Sequence, residues 1–98
     1  MRIIRTFRNE THVVPVPKTE CLVGRRNPYK PPDVDLFPDD KVSRRHARIW
    51  IDNGAAWVED LGSRHGTLVN GVKINYALQL SLGDTIQVGE TLLGVELD

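Results

Sequence analysis

In ARIWIDNGAAWVED, residues 47–60, six residues that alternate between two faces precede a single Asn-Gly pair, and a second strand-like run, AAWVED, follows it. At a period of two, Ala47, Ile49 and Ile51 fall on one face and Arg48, Trp50 and Asp52 on the other, the pattern of a half-buried strand. Asn53-Gly54 suits a two-residue hairpin, whose central residues both need positive φ; glycine adopts it freely and asparagine better than most residues. The pair recurs at Asn70-Gly71, between TLV and VKI, and TIQV and LLGVEL meet around Gly89-Glu90. Upstream, RIIRTF, HVVPVP and CLVGR also read as strands. Pro15 and Pro17 lack the ladder donor, which places them at an edge or a bulge. Residues 26–40, RNPYKPPDVDLFPDD, form a long connection with room for one short strand at VDLF. No segment keeps a helical period over the roughly ten residues a helix needs. The class is all-β, and short strands at this spacing favour a sandwich or a barrel.

The 98 residues, 40% of them hydrophobic, suffice for one domain, residues 1–98, with a modest core. Thirteen basic and thirteen acidic side chains cancel, which argues against a general binder of polyanions. The charge is nevertheless segregated. Residues 33–40 hold four Asp and no base, and residues 41–48 hold Lys41, Arg44, Arg45 and Arg48 and no acid; the ordinary reading of such runs is a solvated loop. Cys21 is the only cysteine, so no intrachain disulfide forms and a reducing cytoplasm is the simpler setting. The N-terminal MRIIRTFRNE is broken by charge every few positions, unlike a signal peptide or a membrane span. These features predict a soluble, cytoplasmic, monomeric domain.

The stretch KVSRRHARIW, residues 41–50, sets four basic side chains and a histidine around one serine. Catalysis fits it poorly: there is no G-x-S-x-G elbow, and side chains three apart on an extended strand point to opposite faces. A metal fits no better, because His12, Cys21, His46 and His65 lack paired ligand spacing. No cofactor is called for. A nucleic-acid surface draws on the arginines and on Trp50 and Trp57, without an RNP-like motif; it is the alternative, beside a scaffold role that uses no phosphate. An anion pocket has the strongest case, since basic residues recur in three loops flanking strands, GRR at 24–26, SRRH at 43–46 and GSRHGT at 62–67. The connections of a sandwich cluster at its two ends, so separate loops can surround one ligand. A phosphate monoester needs an Arg fork, hydroxyl donors and backbone N–H groups, and Arg25, Ser43 and Arg64 offer the side chains.

The order GR, SRRH, LGSRHGTLVNG and LGDTIQVG, spread from Leu22 to Gly89, resembles the forkhead-associated (FHA) domain. One such motif is weak, but four in order at fitting spacing are strong. The resemblance implies a β-sandwich of two antiparallel sheets with about ten or eleven short strands, and a non-catalytic module that binds phosphothreonine in a protein marked by a serine/threonine kinase. It implies no nucleic acid. Such modules commonly sit in longer signalling chains, so residues 1–98 are expected to be part of one.

Residue by residue, the resemblance implies that Arg25 grips the phosphate, Ser43 donates its hydroxyl, Arg44 contributes its backbone N–H, and Arg64 adds a second charge. His46 resembles the family's structural histidine, which ties the binding loops together. Gly24, Gly66 and Thr67 are expected to support the backbone. Asn70 falls where the family places an asparagine near the peptide. His65-Gly66-Thr67 departs from the usual NGT, whose asparagine holds the peptide main chain. An imidazole does not carry a donor and an acceptor on one head as the amide does, so binding is expected to persist with altered affinity or sequence preference.

Overall fold

The computed structural model describes all of residues 1–98 as eleven strands in two sheets packed face to face, without a helix. The strands are β1 (Arg2–Phe7), β2 (Glu10–Pro15), β3 (Glu20–Gly24), β4 (Val34–Asp35), β5 (Ala47–Asp52) and β6 (Ala55–Asp60). They continue as β7 (Thr67–Val69), β8 (Val72–Lys73), β9 (Leu78–Gln79), β10 (Ile86–Val88) and β11 (Thr91–Glu96). One sheet runs β2-β1-β11-β10-β7-β8 and the other β4-β3-β5-β6-β9. No helix is long and apolar enough to cross a membrane.

Asn53-Gly54 and Asn70-Gly71 join their strands with the positive φ that the two-residue turn demands, 50° and 77° in the first and 51° and 82° in the second. A third turn of this kind, at Arg8-Asn9 with φ of 51° and 64°, links β1 to β2. Pro15 closes β2 at the sheet edge, where a missing donor is harmless. The short strand expected in VDLF is β4, and it pairs with β3 in parallel. Parallel neighbours need a crossover connection, supplied by the Pro-rich segment between Gly24 and Val34. This is the one departure from two wholly antiparallel sheets.

The alternation read in the sequence governs burial. Ile3, Ile86, Val88 and Leu93 of one sheet meet Cys21, Val23, Ala47, Ile49 and Val58 of the other, all buried; each large aliphatic side chain there contributes about 1.5–3 kcal/mol. Leu36 and Val42 close this core from the long connection. Burial pushes the Cys21 thiol up to about 12, so it packs as an inert small side chain. On the outer face of the five-stranded sheet Trp50 and Trp57 stack with ring centroids 6.2 Å apart, a scaffold contact as their strand positions imply.

The acidic run turns out to be a set of anchors. Asp33 accepts the Leu22 N–H at 2.8 Å and pairs with Lys18 at 2.6 Å. Asp35 accepts from the Arg26 N–H and side chain and from the Phe37 N–H. Asp39 is buried, taking hydrogen bonds from the Glu90 N–H at 2.8 Å, the Thr91 hydroxyl at 2.7 Å and the Lys41 N–H at 3.1 Å. It thereby clamps the start of the 41–46 loop onto the β10–β11 turn. Asp39→Ala is expected to lower stability by about 3 kcal/mol, because it leaves buried donors unpaired. For a domain of this size that corresponds to a melting temperature lower by roughly 15 °C, which differential scanning calorimetry would read.

Candidate functional site

The three basic loops leave the sandwich at one end: after β3, before β5, and between β6 and β7. Backbone contacts lock them together. The Arg25 N–H donates to the Ser43 carbonyl at 3.2 Å and the His46 N–H to the Val23 carbonyl at 3.0 Å. Gly24 makes this approach possible. A Cβ there would lie 1.9 Å from the Arg44 carbonyl oxygen, so no larger residue fits without moving the Ser43–Arg44 backbone.

His46 joins the second loop to the third. Its Nδ1 accepts the Ser43 N–H at 3.1 Å, so the ring proton lies on Nε2, which donates to the Gly66 carbonyl at 2.8 Å. The side chain is buried, and desolvation holds its pKa below the ordinary value despite the opposing hydrogen bond to Gly66. Ser43 and His46 therefore do meet, through the serine amide; the Ser43 hydroxyl oxygen accepts the Arg64 N–H at 3.0 Å instead. That leaves the hydroxyl hydrogen free to donate to a ligand. A base-activated nucleophile needs the opposite arrangement, with the ring against the hydroxyl.

The third loop is shaped by Asp60. Its carboxylate accepts from the Gly62 N–H, from the Ser63 N–H and hydroxyl, and from the Thr67 hydroxyl at 2.8 Å. Burial works against the charged form, but these donors prevail and hold the Asp60 pKa below the carboxylate range. The Ser63 hydroxyl oxygen in turn accepts the Gly66 N–H at 2.9 Å. Gly66 takes φ of 82° with the Lys73 stem against it, so Lys73 is a further cation beside this loop that spacing alone did not reveal. Thr67 is fully buried, with its hydroxyl on Asp60.

Arg25, Ser43, Arg44 and Arg64 thus lie on one surface, with Arg25 and Ser43 half-buried and Arg44, Arg64 and His65 exposed. None of the arginines Arg25, Arg44, Arg45 and Arg64 forms an ion pair. Arg26 and Arg48 are engaged instead by Asp35 and by Glu20 and Glu59. Asn70 stands apart. It follows the opposite end of β7 from Gly66, and its amide is occupied by Asp84 at 2.9 Å and the Thr85 N–H at 3.0 Å. The arrangement offers an anion two guanidinium groups, a hydroxyl donor and loop N–H groups, with no carboxylate paired against the guanidiniums.

The sequence model of the FHA domain matches residues 21–89. The chain belongs to the FHA domain family. It is 45% identical over 60 residues to the glycogen accumulation regulator GarA of Mycolicibacterium smegmatis, covering 60% of this chain and 37% of that protein. An oxoglutarate dehydrogenase inhibitor of Corynebacterium efficiens is 47% identical over 60 residues, covering 60% and 42%. The matched stretch therefore spans about two fifths of the length of these curated relatives. Among solved structures, the FHA domain of FhaA, crystallised with the intracellular domain of another protein, superposes with a TM-score of 0.78 at 28% identity over 95% of this chain and 97% of that one. A structure from work on phosphothreonine-dependent FHA domain interactions gives 0.72 at 28% identity over 95% and 93%.

His46 makes this FHA scaffold acid-sensitive. The unfolded chain takes up a proton at His46 near pH 6.5 that the folded chain resists, so stability is full above that pH and falls as pH drops below it. Chemical denaturation between pH 7.5 and 5.5 should show this slope. His46→Gln should flatten it and cost about 1–3 kcal/mol at pH 7.5.

Proposed function

We propose that this domain is a non-catalytic module that binds phosphothreonine in a segment of another protein, or of its own parent chain, after phosphorylation by a serine/threonine kinase. The observation that carries the reading is the pooling of Arg25, Ser43 and Arg64 by hydrogen bonds between three loops, with the guanidiniums left unpaired. Arg25 grips the phosphate, the Ser43 hydroxyl and the Arg44 N–H donate to its oxygens, and Arg64 supplies the second charge. His65 borders the peptide main chain and offers a single donor there, without the adjacent acceptor that the usual asparagine's amide presents. Asn70 serves the scaffold, its amide being committed to Asp84 and Thr85.

Gly24, His46, Gly66 and Thr67 set the loops without touching the ligand. The site is complete within one chain, consistent with a monomer. The buried, unpaired Cys21 suits the reducing cytoplasm, where such kinases and their substrates meet. The near-balance of total charge favours a small phosphorylated segment over a long polyanion.

Each charge-assisted hydrogen bond is worth about 1.5–3 kcal/mol. A phosphothreonine peptide titrated by fluorescence anisotropy should therefore bind Arg25→Ala at least ~10-fold more weakly than wild type and Ser43→Ala roughly 10-fold more weakly. Equal affinity of wild type for the unphosphorylated peptide contradicts the proposal. So does binding that depends on salt alone and is indifferent to threonine phosphorylation.

A further inference from the structure

One lateral edge of the sandwich is open to a further strand. Three of the four edge strands, β4, β8 and β9, are two residues long, and such brevity is how natural sheets blunt their edges. The fourth, β2, runs for six residues, pairs with β1 without a bulge and has no neighbour on its other side. Its register fixes which backbone groups face outward. The Val16 N–H donates to the Met1 carbonyl at 2.8 Å, and the Met1 nitrogen donates to the Val16 carbonyl at 3.1 Å. Bonded and unbonded pairs alternate along an antiparallel ladder, so Val14, His12 and Glu10 turn their backbone groups toward β1, and Thr11, Val13 and Pro15 turn theirs away. Pro15 has no donor to offer there. The Thr11 and Val13 N–H groups and the carbonyls of all three stand in a row without a protein partner. Val13, 56% exposed, lies beside Ile4 on the outer face, and Glu10 and His12, 3.7 Å apart, occupy the other.

We infer that this edge takes an added strand from the phosphorylated partner, an extended segment that precedes the phosphothreonine and pairs antiparallel to β2 along Thr11–Pro15. The inference rests on the phosphothreonine reading above and gives the same partner a second contact, through backbone hydrogen bonds, away from the phosphate loops. The occupant follows from size and direction. An edge about 20 Å long falls well short of a standard interface of about 1,600 Å², so it serves a chain already held elsewhere on the domain and not a second copy meeting it alone. The β1–β2 turn lies at the end of the sandwich that carries the phosphate loops: Thr67, just after the third loop, pairs with Val88, Val88 with Thr91, and Leu92 with Thr6. β2 therefore runs away from those loops. A strand antiparallel to it, the more stable pairing, runs toward them and reaches the phosphate site from the N-terminal side of the phosphothreonine. Side chains set its composition, with a β-branched residue opposite Val13 and a lysine or arginine on the face of Glu10.

The test uses a phosphothreonine peptide with neutral flanks, joined through a Gly-Ser linker to a six-residue strand of alternating valine and lysine. A linker of about 12 residues has a reach of ~40 Å, beyond the 33 Å longest dimension of the molecule. The strand is placed before or after the phosphothreonine, and a control peptide carries prolines within it. Tethering at a millimolar effective concentration should tighten wild-type binding about fivefold over the control when the strand comes first, and the Thr11 and Val13 amides should then exchange slowly with deuterium. Thr11→Pro and Val13→Pro each remove an outward donor and no bond to β1. Both should lose the gain and still bind the neutral phosphothreonine peptide within about twofold of wild type. A gain only when the strand follows the phosphothreonine overturns the antiparallel placement. No gain on either side, a gain kept by both proline variants, or Thr11 and Val13 amides left unprotected overturns the edge site. Dimerisation of wild type that Val13→Pro abolishes overturns it too, by making a second copy the occupant. Equal binding of the neutral phosphothreonine peptide and its unphosphorylated form by wild type overturns the main-site reading itself.

Discussion

The binding end of this domain is organised around one neutral imidazole. His46 accepts from the Ser43 amide with one nitrogen and donates to the Gly66 carbonyl with the other, so a single ring with fixed tautomer sets the separation of two loops. A protonated ring would turn a second N–H toward the Ser43 amide, replacing an attraction with a donor–donor clash. Burial guards against this by disfavouring the charged form. The position of the Ser43 hydroxyl, and through it that of the Arg64 backbone, follows from that constraint. Gly24 adds the first loop by letting the Ser43–Arg44 backbone press against β3.

An overall charge near zero conceals a division of labour among the cations. Lys18, Arg26, Lys41 and Arg48 face carboxylates, and Arg26 and Arg48 also lie over the rings of Phe37 and Trp50, each 4.2 Å from the centroid. They belong to the scaffold. Arg25, Arg44, Arg45 and Arg64 have no carboxylate partner, so their charge is left to solvent or to an anion. Exposed ion pairs contribute little stability individually. Their effect here is to decide which positive charges remain free at the loops and which do not.

Much of the fold was legible because its signals are local. Period-two alternation names the buried face of β5, and the two Asn-Gly pairs mark the β5–β6 and β7–β8 hairpins. The Arg8-Asn9 turn escaped the same logic because arginine carries no preference for positive φ, and the parallel pairing of β4 escaped because register across a long connection leaves no local trace. At the site, the side chains proposed to face the ligand were legible as basic and hydroxyl residues repeated in three loops. The groups that shape those loops were less so. Asp39 works through donors some fifty positions away, at Glu90 and Thr91, and no spacing rule reaches that far. Asp60 was within reach: a carboxylate two and three residues before Gly62 and Ser63 is the sequence form of a side chain capping its own turn. The acidic run at 33–40 was misjudged as merely solvated because a charge pattern does not reveal which backbone N–H groups lie nearby.

The claim on which the function turns is that one ligand touches all three loops at this end of the sandwich. Backbone amide NMR of the ¹⁵N-labelled domain, titrated with a phosphothreonine peptide, reads this directly. The account predicts the largest shifts at Arg25, Ser43, Arg44, Arg64 and His65, absent with the unphosphorylated peptide. Shifts confined to the far end, around Asn53-Gly54 and Leu82, or scattered over the sheet faces with the three loops unmoved, would contradict it.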